Sequence, residues 1–217
     1  MLLLFLCLFS CLHSEDLHQE TFSTIYESKL WGTNSAGEGF SGGGSTPENA
    51  RPYIEFLQSF LKTHRIRTVV DAGCGDWEFS QYIDWTDIEY IGYDVVPFVI
   101  EKNQQKFSAP NIHFIHENFL TSALPEADLL LCKEVLQHLS NEDILNFIPQ
   151  LSQFKYCLIT NDVYPGVLTS DNPDIVPGSC RKIDLRMRPF RLPMKNVLHY
   201  VAEGVVHQVA LYTNQNP

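Results

Sequence analysis

The sequence lacks the cysteine spacing of a zinc site, because its six cysteines include no CxxC pair. It also lacks net positive charge, since 26 acidic residues outnumber 15 basic ones and the formal net charge is -11. Such a surface repels polyanions, which argues against a nucleic-acid partner. Residues 181–191 are rich in Arg and Lys but include Asp184, and we interpret them as a solvated face. We therefore predict no metal site and no disulfide framework.

Long apolar runs are absent except at the N-terminus, where residues 1–12 read MLLLFLCLFSCL. This run is shorter than the ~20 residues that a membrane-spanning helix needs, but it matches the hydrophobic region of a signal peptide. No Lys or Arg precedes it, and no A-x-A cleavage site follows it. We expect residues 1–14 to be an export-type leader without a stable membrane span, which makes the protein secreted or membrane-tethered. A cytoplasmic protein is the alternative.

The segment after the leader is rich in glycine. Residues 33–45 read TNSAGEGFSGGGS, and this composition is typical of a loop. We assign residues 15–46 to an N-terminal cap or lid over a ligand, with a plain linker as the alternative. Residues 47–217 remain for one domain, in keeping with the usual size of domains.

Helical and strand patterns alternate from Thr46 onward. The predicted helices cover residues 47–61, 77–83, 98–107 and 140–151, and the predicted strands cover residues 68–70, 90–93, 112–115, 128–132, 156–160 and 205–212. Alternation of this kind builds βαβ units, so we predict an α/β fold with a Rossmann-like, doubly wound, mostly parallel sheet. We expect the C-terminal strand to be antiparallel and to pair with a strand near residues 183–186.

The most informative motif is VVDAGCGDW at residues 69–77, where a buried strand runs into a glycine-rich turn. Gly73 and Gly75 let the backbone approach a ligand at the carboxyl end of the strand, where open α/β sheets bind ligands. A dinucleotide site would carry a third glycine, but Glu78 occupies that place. Asp71 is poorly placed for a pyrophosphate and suits a ligand with a cationic amino group. S-adenosylmethionine has an ammonium, a sulfonium and no phosphate.

This motif is similar to the first motif of class I S-adenosylmethionine-dependent methyltransferases, which reads acidic-x-Gly-x-Gly, with Trp77 where many members have a further glycine. Residues 26–45 and 136–140 resemble the same parts of small bacterial-type methyltransferase-domain proteins. The resemblance extends over most of the chain after the leader. It implies a Rossmann-like fold and S-adenosylmethionine as the cofactor.

Further residues are candidates for cofactor binding. Asp94 ends the second strand about 20 residues after the turn, where an acidic side chain accepts hydrogen bonds from ribose hydroxyls, and Val95 follows it. The resemblance implies that Asn118 contacts the adenine amino group and that Phe119 packs on the adenine ring. It also implies that Lys133, after the fourth strand, contacts the cofactor, chiefly through its backbone.

Two residues are candidates for catalysis. His138 follows the fourth strand and could orient a substrate or act as a base near neutral pH. Asp162 follows the fifth strand and could accept a proton. The alternatives are a histidine that only packs at a helix start and an ordinary turn aspartate. A base is needed only when the acceptor is protonated, because the cofactor supplies the reactivity.

These residues together predict S-adenosylmethionine-dependent methyl transfer to a small molecule or a protein side chain. The lack of an NPPY-like tetrad after the fourth strand argues against the amino group of a nucleobase as acceptor. Two other functions stay open, namely a non-catalytic exported interaction protein that binds the cofactor and a dinucleotide oxidoreductase. The missing third glycine and the lack of a Tyr-x-x-x-Lys pair argue against the oxidoreductase. Nothing in the sequence predicts the oligomeric state.

Overall fold

The computed structural model of the chain describes residues 17–166 and 171–214. Its longer helices are α1 (17–27), α2 (Pro47–Thr63), α3 (Pro97–Phe107) and α4 (Asn141–Phe147). The predicted leader, residues 1–14, lies outside the described residues. In the part that is described, no helix is both long enough and apolar enough to cross a membrane.

Seven strands form one sheet within the described ranges. They are β1 (Thr68–Ala72), β2 (Glu89–Asp94), β3 (Ile112–His116), β4 (Ala127–Lys133), β5 (Phe154–Val163), β6 (Lys195–Ala202) and β7 (Val205–Thr213). Their order is β3-β2-β1-β4-β5-β7-β6, in which β7 is antiparallel to both β5 and β6 and the pairs among β1 to β5 are parallel. The predicted α/β fold, with a mostly parallel sheet and an antiparallel C-terminal strand, is therefore confirmed.

The predicted partner of the last strand is wrong. β7 pairs with β5 and β6, whereas residues 183–186 form no strand. Asp184 instead begins a turn, because its carbonyl accepts a hydrogen bond from Met187 N at 2.9 Å and its side chain accepts one from Arg186 N at 3.0 Å. The true partner, β6, joins β7 through Glu203 and Gly204, whose positive φ angles of 51° and 75° suit a two-residue hairpin loop.

Two predicted helices are shorter than expected. Residues 77–83 contain only a 3-10 helix at Ser80–Tyr82, because Trp77 has a φ of 58°, which a continuing helix does not allow. α4 begins with a capping box, in which Ser140 and Asp143 bond reciprocally, but it ends at Phe147, and the chain continues as the 3-10 helix Ile148–Gln153. Pro149 lacks the N–H that a continuing α-helix needs.

The sheet is covered on both faces, as a parallel sheet requires. Val70 of β1 belongs to a core cluster with α1 and α4, while Val69 belongs to a second cluster with α2. The basic cluster is not wholly a solvated face: Arg181 is buried and donates a hydrogen bond to the Leu139 carbonyl at 2.8 Å. Cys74, Cys132 and Cys157 are free and buried.

Candidate functional site

A cavity lies at the carboxyl ends of β1, β2 and β4, the edge at which parallel α/β sheets bind ligands. The structure brings all eight predicted cofactor-binding residues to its wall, namely Asp71, Gly73, Gly75, Asp94, Val95, Asn118, Phe119 and Lys133. His138 also lines the cavity. Asp162 lies outside this wall.

The glycine turn after β1 depends on both of its glycines. Gly73 and Gly75 have φ angles of 83° and 55°, in the left-handed region that side chains disfavour. The N–H groups of Gly73 and Cys74 donate to the Tyr93 carbonyl, each at 2.9 Å, which ties the turn to β2. A Cβ atom on Gly73 would lie 2.5 Å from a methyl carbon of Val135, so the turn also needs glycine for space.

The Asp94 carboxylate is fixed at the end of β2. Its two oxygens accept hydrogen bonds from Gly75 N and Val96 N, each at 3.0 Å. Burial raises the pKa of Asp94, and these backbone hydrogen bonds oppose the rise. Each carboxylate oxygen keeps a second lone pair, so Asp94 can still accept hydrogen bonds from a ligand.

Asp71 is a buried carboxyl group beneath the turn. It accepts a hydrogen bond from the Tyr90 hydroxyl at 2.7 Å. Burial raises the pKa of Asp71 to about 7, with a further rise from Asp94, while Tyr90 and Lys133 act in the opposite direction. A cationic group in the cavity would therefore favour the ionised form of Asp71.

Lys133 brings its side chain, and not only its backbone, to the site. Its Nζ donates to the Gly44 carbonyl at 2.9 Å and to Glu134 Oε1 at 2.8 Å, and it lies 5.0 Å from the centre of the Phe79 ring. The side chain is 5% exposed, so its charge is largely shielded from water. A buried cation on the wall offers a partner to an anionic group of a ligand.

Helix α1 supplies a row of cavity residues that the sequence analysis did not identify. His18, Phe22 and Tyr26 are spaced by four residues, lie on one helix face and all line the cavity. His18 Nε2 lies 3.3 Å from Asp143 Oδ2, and Asn118 Nδ2 lies 3.3 Å from His18 Nδ1. A carboxylate oxygen only accepts, so Nε2 carries the hydrogen and Nδ1 is an acceptor. The four-residue spacing of His18, Phe22 and Tyr26 is the feature of the sequence that could have identified them as one helix face.

The glycine-rich loop packs against the turn. The Ser41 N–H donates to Asp76 Oδ2 at 3.1 Å, and Ser41 Oγ accepts from Asp76 N at 2.9 Å. The Tyr26 hydroxyl lies 2.6 Å from Ser41 Oγ, which joins the loop to α1. Ser41 and Ser45 line the cavity, so this segment contributes to the site wall.

His138 has a defined tautomer. Its Nδ1 lies 2.9 Å from the Ser179 carbonyl oxygen, which only accepts hydrogen bonds, so Nδ1 carries the hydrogen and the lone pair of the neutral ring is on Nε2. Burial lowers the pKa of His138, although Ser179, Asp162 and Glu134 oppose this. The Trp31 ring lies 4.9 Å from the imidazole, measured between centroids. The cavity thus contains a neutral histidine with the properties of a base.

Asp162 belongs to an adjacent cluster with Glu134 and His207. His207 Nδ1 lies 3.0 Å from Glu134 Oε1 and 3.0 Å from Asp162 Oδ1. Burial would lower the pKa of His207, but the two carboxylates raise it above its ordinary value. Glu134 lines the cavity, so the cluster borders the site. His207 comes from β7, far along the chain, and no spacing in the sequence marks it as a site residue.

Comparisons with known proteins identify the domain that contains this cavity. Residues 69–154 match the family model of the methyltransferase domain. No curated protein sequence matches the chain significantly. Magnesium protoporphyrin IX methyltransferase from Synechocystis PCC 6803, solved with bound SAH, has a TM-score of 0.64 at 12% identity, covering 90% of this chain and 97% of that chain. The N-methyltransferase NodS from Bradyrhizobium japonicum WM9 has a TM-score of 0.57 at 13% identity, covering 79% and 98%.

Proposed function

We propose that this chain, whose residues 69–154 match the methyltransferase domain, transfers the methyl group of S-adenosylmethionine to an oxygen or nitrogen atom of a small molecule. One observation carries the choice of acceptor: the cavity that contains the glycine turn also contains His138, whose neutral ring has its lone pair on Nε2. A base is useful only when the acceptor atom carries a proton.

The polar groups of the cavity suit the parts of S-adenosylmethionine. Asp94 would accept hydrogen bonds from the ribose hydroxyls, and Asn118 and Phe119 would contact the adenine ring. Asp71 would pair with the ammonium group, and Lys133 would pair with the carboxylate. The site therefore offers a group of opposite charge to each charged end of the amino-acid portion.

When bound, S-adenosylmethionine supplies an electrophilic methyl group on a positively charged sulfur. The residues of the chain supply position and a base. Nε2 of His138 would take the proton of an acceptor O–H or N–H and hold it on the imidazole, which would leave the acceptor atom free to receive the methyl group.

The cover over the cavity supports a small acceptor. Phe22 and Tyr26 of α1, with Trp31, form an aromatic wall on the side of His138. Such a wall suits a small molecule with an apolar body better than a side chain of a folded protein. We propose accordingly that residues 15–46 act as the cap of the cofactor site.

Transfer of a radiolabelled methyl group tests the proposal. The purified protein would be incubated with methyl-labelled S-adenosylmethionine and, separately, with the low-molecular-weight and protein fractions of a cell extract. We expect label in the low-molecular-weight fraction and at least a hundredfold lower rate for His138→Ala. Label only in protein would contradict a small acceptor. Cofactor binding without transfer to either fraction would indicate a non-catalytic binding protein.

We further propose that residues 1–12 direct the chain to the export machinery or to a membrane surface. Their apolar composition supports this, and they stand a few residues before α1, so a tether here would place the cap next to the membrane. Fractionation of cells that express the full chain, with N-terminal sequencing, tests the proposal. A cytosolic protein with an intact N-terminus would contradict it.

A further inference from the structure

The cluster beside the cavity has the geometry of a ligand set. Glu134, Asp162 and His207 come from different elements, and their ligand atoms all lie within 4.8 Å of one another. The backbone fixes these positions, because Asp162 pairs with His207 in the β5–β7 register and Glu134 N donates to the Thr160 carbonyl at 2.7 Å. The three atoms therefore converge without depending on flexible loops.

The imidazole of His207 makes close contacts with both carboxylates. Nδ1 lies 3.0 Å from one oxygen of Glu134 and one of Asp162, yet within the described residues neither Nδ1 nor Asp162 Oδ1 has a hydrogen-bond partner of normal geometry. Two ligand atoms that each lie about 2.1 Å from an ion, at a right angle, are about 3.0 Å apart. In that arrangement a ring N–H points between the oxygens and not at either of them. The 3.0 Å distances fit convergence of these atoms on a common centre.

A second buried group faces the same place. Tyr200 is 7% exposed, its ring stacks on His207 with centroids 4.8 Å apart, and its hydroxyl has no hydrogen-bond partner in the part of the chain that the structure describes. The Tyr200 ring therefore covers one face of the His207 imidazole.

We propose that Glu134, Asp162 and His207 bind a divalent transition-metal cation. One imidazole and two carboxylates suit ions such as Mn²⁺, Co²⁺ or Zn²⁺, whereas Mg²⁺ prefers oxygen ligands. Lys133 Nζ also lies 2.8 Å from Glu134 Oε1, and its positive charge opposes a cation at this place, so the ion must bond strongly to the three ligands.

The ion would lie at the wall of the cofactor cavity, because Glu134 lines it. There it could bind an oxygen atom of the methyl acceptor, which would increase the specificity of the site for oxygen-containing molecules. The expectation of no metal site came from sequence spacing, which cannot reveal ligands contributed by separate strands. The binding site itself does not depend on the proposed methyl transfer.

Metal titration tests the proposal. Tag-free, chelator-treated full-length protein would be titrated with Mn²⁺, followed by the electron paramagnetic resonance signal of the free ion, and with Co²⁺, followed by its visible absorption. We expect one saturable site, with affinity at least tenfold lower in His207→Ala and Asp162→Ala. The matched control is His199→Ala, on the neighbouring strand β6, whose Nε2 lies 3.1 Å from Gln208 Oε1. It should bind the ions as the wild type does.

Binding of S-adenosylhomocysteine separates loss of the ion from loss of folding, since Asp162 and His207 lie outside the cofactor wall. Absence of saturable binding of both ions to the wild type would overturn the proposal, and so would binding that survives both substitutions. The cluster would then be a buried ion pair with a proton on His207. Protein that binds the nucleoside but neither ion would contradict the metal site alone, and protein that fails to bind the nucleoside would contradict the proposed function.

Discussion

The Asp94 carboxylate accepts a hydrogen bond from the Gly75 N–H at 3.0 Å, so the end of β2 holds the glycine turn that follows β1. Its other oxygen accepts from Val96 N at the start of α3, also at 3.0 Å. A side chain that would bind the ribose is therefore also the side chain that fixes the neighbouring backbone. Substitution of Asp94 should therefore change both cofactor affinity and the stability of the fold.

Replacing Asp94 with Asn tests this relationship. The amide has one acceptor oxygen, so it loses one of the two backbone hydrogen bonds and accepts more weakly from a ligand. We expect Asp94→Asn to weaken S-adenosylhomocysteine binding by about 10- to 100-fold and to lower the free energy of unfolding by about 1 kcal/mol. Calorimetry and urea unfolding measure the two effects. Asp87→Asn, at an exposed turn, should change neither, and an Asp94→Asn protein with wild-type affinity would contradict the assignment.

The fold and one side of the site follow from local sequence patterns. Strand and helix periodicity predicts the parallel sheet, and the carboxyl ends of parallel strands meet at one edge. Residues that follow separate strands, such as Gly75, Asp94 and Asn118, therefore line one cavity, although far apart in sequence. Knowledge of the sheet order was enough to group them.

The rest of the site depends on tertiary packing that periodicity does not encode. His18 reaches Asn118 only because α1 packs over the sheet, and His207 reaches Asp162 only through the β5–β7 register. The sequence patterns place the partner of the last strand at residues 183–186 and not at β6, so they do not predict the register of β7. Arg181 is buried for the same kind of reason, since it donates a hydrogen bond to the carbonyl of Leu139, which is distant in the sequence.

A side chain at position 75 should both strain the backbone and clash with the glycine-rich loop. The φ of Gly75 is 55°, and a Cβ there would clash with Ser41 Oγ, the atom that ties the glycine-rich loop to Asp76. Gly204 is a matched control, since its φ is 75° and a Cβ there would meet nothing within 4 Å. We expect Gly204→Ala to cost about 1 kcal/mol of unfolding free energy and Gly75→Ala to cost about 1–3 kcal/mol more.

Cofactor binding provides the second measurement for this pair. We expect S-adenosylhomocysteine to bind Gly75→Ala at least tenfold more weakly and to bind Gly204→Ala normally. Equal stability and equal affinity of the two variants would show that the loop does not depend on its close contact with the turn.

His18 should link α1 to the adenine end of the cavity. Removing its ring leaves Asn118 Nδ2 and Asp143 Oδ2 without this partner and opens the cavity wall. We expect His18→Ala to weaken S-adenosylhomocysteine binding by about tenfold, equivalent to roughly 1.4 kcal/mol. His113→Ala is the control, because His113 is exposed on β3. Unchanged affinity in His18→Ala, measured by calorimetry, would place α1 outside the cofactor site.

The raised pKa of Asp71 predicts pH-dependent cofactor binding. Burial raises this pKa to about 7, so the carboxyl group changes from mostly protonated at pH 6 to mostly ionised at pH 8. The ionised form attracts an ammonium group, and affinity for S-adenosylhomocysteine should therefore be about tenfold higher at pH 8 than at pH 6. Asp71→Asn cannot ionise and should bind with little pH dependence. Calorimetry across this range measures both proteins.

The same ionisation should appear in the stability of the free protein, with a defined sign. The folded pKa lies above the unfolded value, so the folded protein holds a proton that the unfolded chain releases, and stability falls as pH rises from about 4 to 7. The wild type should therefore be less stable at pH 8 than at pH 6, whereas Asp71→Asn should not show this loss. Tyr90→Phe should move the midpoint of binding upward, since the Tyr90 hydroxyl lowers the pKa of Asp71. A pH-independent wild type, or a midpoint that Tyr90→Phe leaves in place, would contradict a buried Asp71 that ionises on binding.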